Sequence, residues 1–268
     1  MNLYAEAHEA LMCPDPAAKV MAVRGLHAAW RAGTVGAASG SDPVAIPVPG
    51  RPERPLLVAP RALAHRGLGT DEGRAALVHA VAHIEFNAIN LALDAVYRFR
   101  DLPPAYCDDW LQVAVDEARH FEMLQARLVR FGHGYGDFPA HNGLWDAACR
   151  TADDCLTRMA LVPRVLEARG LDVTPGMISR LREIGDHDTV AILDVILAEE
   201  VAHVAAGTRW FRYCCARAGV DPEPTFIDLL RRHEAAIRPP FNRAARAEAG
   251  FTASEQAGLE ALVPARDR

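Results

Sequence analysis

The sequence predicts an all-α fold. Stretches at about 70–100, 105–131, 144–169 and 186–218 repeat apolar residues at helical spacing, while alternating strand patterns are nearly absent. Glycine and proline fall at the ends of these stretches, where helices stop.

Residues 3–32 read as two short helices interrupted by Pro14 and Pro16, with Asp15 placed to cap the second. Residues 33–73 have no sustained period and are rich in glycine and proline. They read as an extended strap over the domain, because Leu56, Leu57, Val58 and Leu63 need burial. Helix A then starts at Thr70, a capping residue followed by Asp71 and Glu72, and Pro103-Pro104 bars its continuation. Helix B runs from Ala105 to Phe131 and ends at Gly132; the short connection makes A and B antiparallel. A loop rich in glycine and aromatics, residues 132–143, leads to helix C, Leu144 to Arg169, with Pro163 predicting a kink or a local loosening of the hydrogen-bond ladder. A shorter helix begins at Thr174-Pro175 and ends near Gly185. Helix D runs from Asp186 to Ala218 and stops at Gly219. A helix near Phe226–Ile237 and a charged, partly disordered tail complete the chain.

Composition narrows the function classes. The 268 residues are half apolar and carry a formal net charge of −6, so general attraction to nucleic acid or an anionic membrane is not expected. No signal peptide is evident, and no apolar run is read as a membrane span. The six cysteines form no C-x-x-C pair and read as reduced structural thiols in a cytoplasmic protein; Cys214 and Cys215 read as helix packing.

The informative motif is Glu-x-x-His, present at Glu117–His120 and again at Glu200–His203. At about 3.6 residues per turn, a spacing of three puts carboxylate and imidazole on one helix face, where both can bind one metal ion. Both pairs sit on apolar stripes, the first with Trp110, Val113, Phe121 and Leu124, the second with Leu193, Ile196, Val204 and Phe211. Glu85 interrupts the stripe Val78, Val81, Ala82, Ala88, Ile89 and Ala92 on helix A, and Glu167 follows Leu156, Met159 and Ala160 on helix C. A carboxylate in such a stripe is costly unless paired, protonated or bound to a cation. Two lone glutamates plus two Glu-x-x-His pairs match the ligand pattern of ferritin-like di-metal carboxylate bundles. Four carboxylates offset two divalent ions, and the imidazoles favour iron, then manganese, over magnesium or calcium. Glu199 also lies within reach of His203, four residues before it, but the symmetry with Glu117 favours Glu200.

Around this set, Asp116 and Asp194 are candidates to orient the histidines. His79 and His83 share another face and read first as packed histidines; His133 and His141 lie in the loop beside Tyr135 and Phe138, where a lid is the alternative to loop packing. Arg119, Arg158, Arg164 and Arg169 could bind an anionic substrate, although pairing with neighbouring acids is the commoner use.

The stretches His79–Glu85, Asp116–Phe121, Tyr135–His141, Arg158–Asp172 and Glu200–Val204, with the Pro- and Arg-rich lead-in at 51–66, resemble the DUF455 group of ferritin-like proteins. The resemblance covers most of the chain. It implies a ferritin-like four-helix bundle at 70–219, a packed N-terminal part with the strap at 1–69, and a helical extension at 220–268. It carries over Glu85, Glu117, His120, Glu167, Glu200 and His203 as metal ligands. Where relatives often have Asp-Glu before the last histidine, this chain has Glu199-Glu200, which leaves the spacing intact. The function expected is a di-iron oxidase or monooxygenase acting with O₂ on a small organic substrate, with an external electron donor, as a monomer or homodimer. The alternatives are iron handling (ferroxidase or storage) and tRNA hydroxylation, the latter disfavoured by the acidic charge.

Overall fold

The computed structural model describes residues 2–37, 42–64 and 66–264, and the protein is an all-α bundle fold with no strand among those residues. The parts of the strap at 38–41 and 65, and the end of the tail at 265–268, lie outside the described residues. The chain forms two compact units, Met1–Cys149 and Arg150–Arg268.

The first unit holds α1 (Leu3–Met12), α2 (Pro16–Arg31), α3 (Asp71–Arg98) and α4 (Pro104–Arg130). Its main pairing is α3 with α4; α1 packs on α3 and α2 on α4. The expected caps are present. Asp15 accepts from the Ala18 N–H at 2.8 Å, and Thr70 accepts from the Gly73 N–H at 3.1 Å. One lysine ties three of these helices together. Lys19 on α2 is fully buried, and its ammonium donates to the carbonyls of Ala10 (3.1 Å) and Leu11 (2.6 Å) and to Asn90 Oδ1 (2.6 Å). It thereby satisfies carbonyls in the last turn of α1, which have no partner within the helix. Burial pushes the Lys19 pKa down to about 7.

The strap is extended, with one 3₁₀ turn at Pro60–Ala62. Trp145 Nε1 donates to the Ile46 carbonyl at 3.2 Å, and the Gly50 N–H donates to the Leu11 carbonyl at 3.1 Å. A Cβ at Gly50 would stand 2.2 Å from the Met12 carbonyl carbon, so only glycine passes there. The expected burial of Leu56 is wrong: its side chain is exposed, while Leu57 and Val58 are half-buried. The Ala140 N–H donates to the Leu56 carbonyl and the Val58 N–H to the Ala140 carbonyl, so the backbone rather than the Leu56 side chain holds this part of the strap.

One helix, α3, is long and apolar enough by composition to cross a membrane. Most of that stretch is buried within the protein, and it carries Glu85, Asn87, Asn90 and Asp94 inside, as a core helix does.

Helix C is not continuous. It comprises α5 (Gly143–Arg150), a break, α6 (Cys155–Leu161), a π-helical turn at Val162–Glu167, and α7 (Ala168–Glu183). Asp154 restarts the helix by accepting from the N–H groups of Leu156 and Thr157. Gly170 does not end it, and Pro175 lies inside α7. Proline lacks the N–H that would reach the carbonyl four residues back, that of Leu171; Asn242 Nδ2 donates to this carbonyl instead, at 3.2 Å.

In the second unit α7 and α6 pack on α8 (His187–Ala218), which Asp186 caps and Gly219 ends in the left-handed conformation at φ 68°. After α9 (Pro222–Arg232), the segment expected to be partly disordered contains α10 (Arg243–Glu248) and α11 (Ala253–Ala261), the latter opened by a Thr252–Glu255 capping box. The six cysteines stand outside any disulfide among the described residues.

Replacing Lys19 by Met should lower stability by about 1–3 kcal/mol, because the buried Asn90 Oδ1 loses its lysine donor and the Ala10 and Leu11 carbonyls keep only the N–H groups of Cys13 and Gly50. The Lys19 pKa falls from 10.5 in the unfolded chain to about 7 in the fold. Between those values the unfolded chain binds more protons, so wild type should gain on Lys19→Met as pH rises from about 7 towards 10. Urea unfolding of both proteins across that range measures the difference.

Candidate metal centre

Glu85 on α3 and the Glu117–His120 pair on α4 are brought together in the first unit. All three side chains are buried, with relative exposures of 3%, 1% and 0%. The Nδ1 atom of His120 lies 3.1 Å from Glu85 Oε2 and 3.4 Å from Glu117 Oε2. One donor atom from each residue falls within 4.8 Å of the others. The sequence accounts for this locally. Glu85 follows Val78 and Ala82 on the buried face of α3, and Glu117 and His120 follow Trp110, Val113 and Ala114 on that of α4.

Burial opposes charging of His120, yet the hydrogen bonds and charges of Glu117 and Glu85 outweigh it and hold its pKa up at about 10. Even with His120 protonated, two carboxylates face one imidazolium in an apolar surrounding. Two carboxylates and an imidazole with donor atoms this close are groups that can bind one divalent cation, the imidazole in its neutral form. The donor set therefore fits a metal of the iron or manganese class.

The second unit offers matching groups. Glu200 and His203 are buried on α8, with His203 Nδ1 3.5 Å from Glu200 Oε1. Glu200 is the buried member of the Glu199–Glu200 pair; Glu199 is half-buried. Glu85, Glu117 and His120 in one unit and Glu200 in the other are thus buried acids and an imidazole of the kind that hold metal ions. Glu167 is half-buried and closes the π turn.

The π turn is located by a contact with α8. At Gly207, four residues after His203 and on the same face, an added Cβ would stand 2.3 Å from Pro163 Cβ and 2.5 Å from Pro163 Cγ. The absence of a side chain at Gly207 lets Pro163, and with it the turn that carries Glu167, lie directly against α8. A glycine inside an otherwise regular helical pattern was the available sequence signal for this contact.

The other candidates divide clearly. Tyr135 donates from its hydroxyl to His83 Nδ1 at 2.9 Å, and His83 Nε2 donates to the His141 carbonyl at 3.2 Å. Burial holds His83 at a pKa of about 4, so its ring is neutral and Nδ1 can accept. The Tyr135 ring packs 5.4 Å from Phe86 and 5.0 Å from Phe121, the chain neighbours of Glu85 and His120. His79 accepts from the Gly136 N–H at 2.9 Å and stacks on Tyr135. His133 packs on Phe138 and lies 3.6 Å from Asp137. Asp194 is a surface acid 3.8 Å from Arg182, and Asp116 accepts from Gln112 and Arg119. The helix C arginines are engaged: Arg158 Nε donates to Thr151, Arg164 pairs with Glu255 at 2.7 Å, and Arg169 donates to the carbonyls of Arg238, Pro239 and Pro240.

With this geometry in place, comparison with known proteins is informative. Residues 12–257 match the family described as DUF455, protein of unknown function. The chain belongs to the DUF455 family. A protein of Haemophilus influenzae, described as an uncharacterized protein, is 47% identical over 212 residues, spanning 76% of this chain and 74% of its own. No solved structure matches the chain significantly. All the residues carrying the candidate metal chemistry, from Glu85 to His203, fall inside the DUF455 match.

Gly207→Ala should destabilise the protein by about 1–3 kcal/mol, since Pro163 has to move. Gly176→Ala, in α7 with nothing within 4 Å of the new Cβ, should instead be neutral or stabilising by up to about 1 kcal/mol. Denaturant midpoints of the two variants check the opposite signs; equal effects would mean that the Pro163 contact does not matter.

Proposed function

We propose that this DUF455 protein is a ferritin-like di-metal carboxylate enzyme, a di-iron oxidase or monooxygenase that uses O₂ on a small organic substrate. The observation that carries the reading is the buried triad of Glu85, Glu117 and His120, two acids and an imidazole within 4.8 Å that call for a cation. In this reading Glu167, Glu200 and His203 supply the other half of the ligand set, giving four carboxylates and two imidazoles for two ions. Iron is the expected metal, with manganese the substitute that the same donors accept.

Bound iron would supply the reaction with O₂, for which protein side chains have no equivalent. The chain's own groups have more limited tasks. Glu85 and Glu117 hold the ions and balance their charge. His120 gives up its proton when it ligates, so metal uptake releases a proton at neutral pH. Phe86, Phe121 and Tyr135 supply apolar surface beside the ligands in the chain, and the Tyr135–His83–His141 hydrogen bonds fix the loop that carries Tyr135. Electrons would come from an external reductase, and cysteines outside any disulfide support a cytoplasmic setting.

Glu117→Ala and His203→Ala should each lose bound iron and, with it, O₂ consumption in the presence of a reductant. Metal analysis of the purified variants reads the first effect and an oxygen electrode the second. Full iron content in either variant would remove that residue from the ligand set. Wild type loading hundreds of iron ions per particle would move the reading to iron storage.

A further inference from the structure

We infer that the crevice between α7 and the segment 236–246 binds one small anion, a halide or the carboxylate group of a small molecule. The crevice has a volume of about 20 Å³, and its walls carry Arg164, Arg169, Arg238 and Arg246 with Asp172 as their acid. That volume admits one compact group of roughly the size of a water molecule.

The hydrogen bonds show why the local charges do not balance. Asp172 is 5% exposed and is fully used: Oδ1 accepts from Arg246 Nε (2.9 Å) and the Asn242 N–H (2.9 Å), and Oδ2 accepts from Arg246 Nη2 (2.7 Å). Glu255 is taken by Arg164. Arg169 spends its donors on three backbone carbonyls, which satisfy hydrogen bonds but carry no net charge, and its distance to Asp172 is 3.7 Å. Arg238 is exposed at the same crevice. Four guanidinium groups therefore meet two carboxylates. The Arg169 pKa is lowered, first by burial and then, against Asp172, by the like charges of Arg246 and Arg238.

The second observation is Arg246 itself. It is 96% buried, at 4% relative exposure, and its Nη1 has no acceptor among the described residues. Aromatic faces do not replace one. Arg164 lies over three rings at 4.0–4.7 Å (Phe226, Phe251 and Phe211), whereas Arg246 stands 5.1 Å from Phe251 and 5.7 Å from Phe241. A water molecule could accept from Nη1 but would leave the excess positive charge in place. An anion does both. Its binding would join α7 to the C-terminal segment through Arg169, Arg246 and Arg238, independently of any metal.

The test uses the full chain and sodium bromide, at constant ionic strength held with a bulky sulfonate too large for the crevice. The thermal midpoint should rise with bromide and saturate. Arg238→Ala, an exposed change, should need about fivefold more bromide for half of its own rise in midpoint than wild type does. Crystals soaked in bromide should show an anomalous peak within hydrogen-bond reach of Arg246 Nη1. Formate that removes the peak assigns the site to carboxylates, and a peak that survives formate assigns it to halides; both keep the inference. A rise that never saturates, an identical response in Arg238→Ala, or no bromide peak at Arg246 overturns it.

Discussion

A carboxylate inside an apolar core has to be compensated, and Glu85 imposes that requirement on α3 and α4. Its nearest answer is His120, held between Glu85 and Glu117 and pushed up to about 10 in pKa by the two acids. The rest of α3 obeys the same rule with other partners. Asn90 accepts from the buried Lys19, and Asp94 takes the guanidinium of Arg98 at 2.7 Å. This explains how a helix apolar enough to cross a bilayer belongs in a folded core. Its polar side chains are matched to groups from α2, α4 and α3 itself, here inside a folded protein.

In the second unit the rule is met from the basic side, and there it shapes the backbone. The π turn at Val162–Glu167 is held by two consecutive residues. Pro163 enters the space left open by Gly207, and Arg164 is fully buried among Phe211, Phe226 and Phe251 while paired with Glu255 of α11. An irregular turn that shifts register by one residue needs such anchors to stay in one place. The α9–α11 segment is therefore part of what positions Glu167, three residues beyond Arg164, rather than an appendage.

How much of this could be read from the sequence follows from which interactions are local. The caps at Asp15, Thr70 and Asp186 and the stop at Gly219 act within one turn of their helix, and each is where the pattern put it. Glu85, Glu117, His120, Glu200 and His203 were found because a charge on an apolar stripe is conspicuous, and all five are buried. Pro163 announced a loosening of the helical ladder, and the π turn is that loosening; its form was not legible because the compensating space at Gly207 is over forty residues away. Pro175 was taken as a helix start because its orphaned carbonyl is satisfied by Asn242, far along the chain. The order in α10 and α11 was hidden for the same reason: Arg246 and Glu255 look like tail charges until Asp172 and Arg164 are set against them.

These pairings also decide what the arginines of helix C can do. As a sequence feature, Arg158, Arg164 and Arg169 suggested a receptor for an anionic substrate. Arg164 is unsuited to that task, since its guanidinium is closed in by rings and a carboxylate and reaches no solvent. Most buried charges here are matched by an immediate opposite or by carbonyls, as with Lys19, Arg98 and Arg164. Among the described residues the crevice around Asp172 stands out, because Arg246 is matched by Asp172 and Arg164 by Glu255 while the more exposed Arg169 and Arg238 add positive charge. Such a surplus attracts a mobile ion of opposite sign, the more strongly the less water screens it. That imbalance, rather than the mere presence of charged residues, is what separates the crevice from the ion pairs that only hold the helices together.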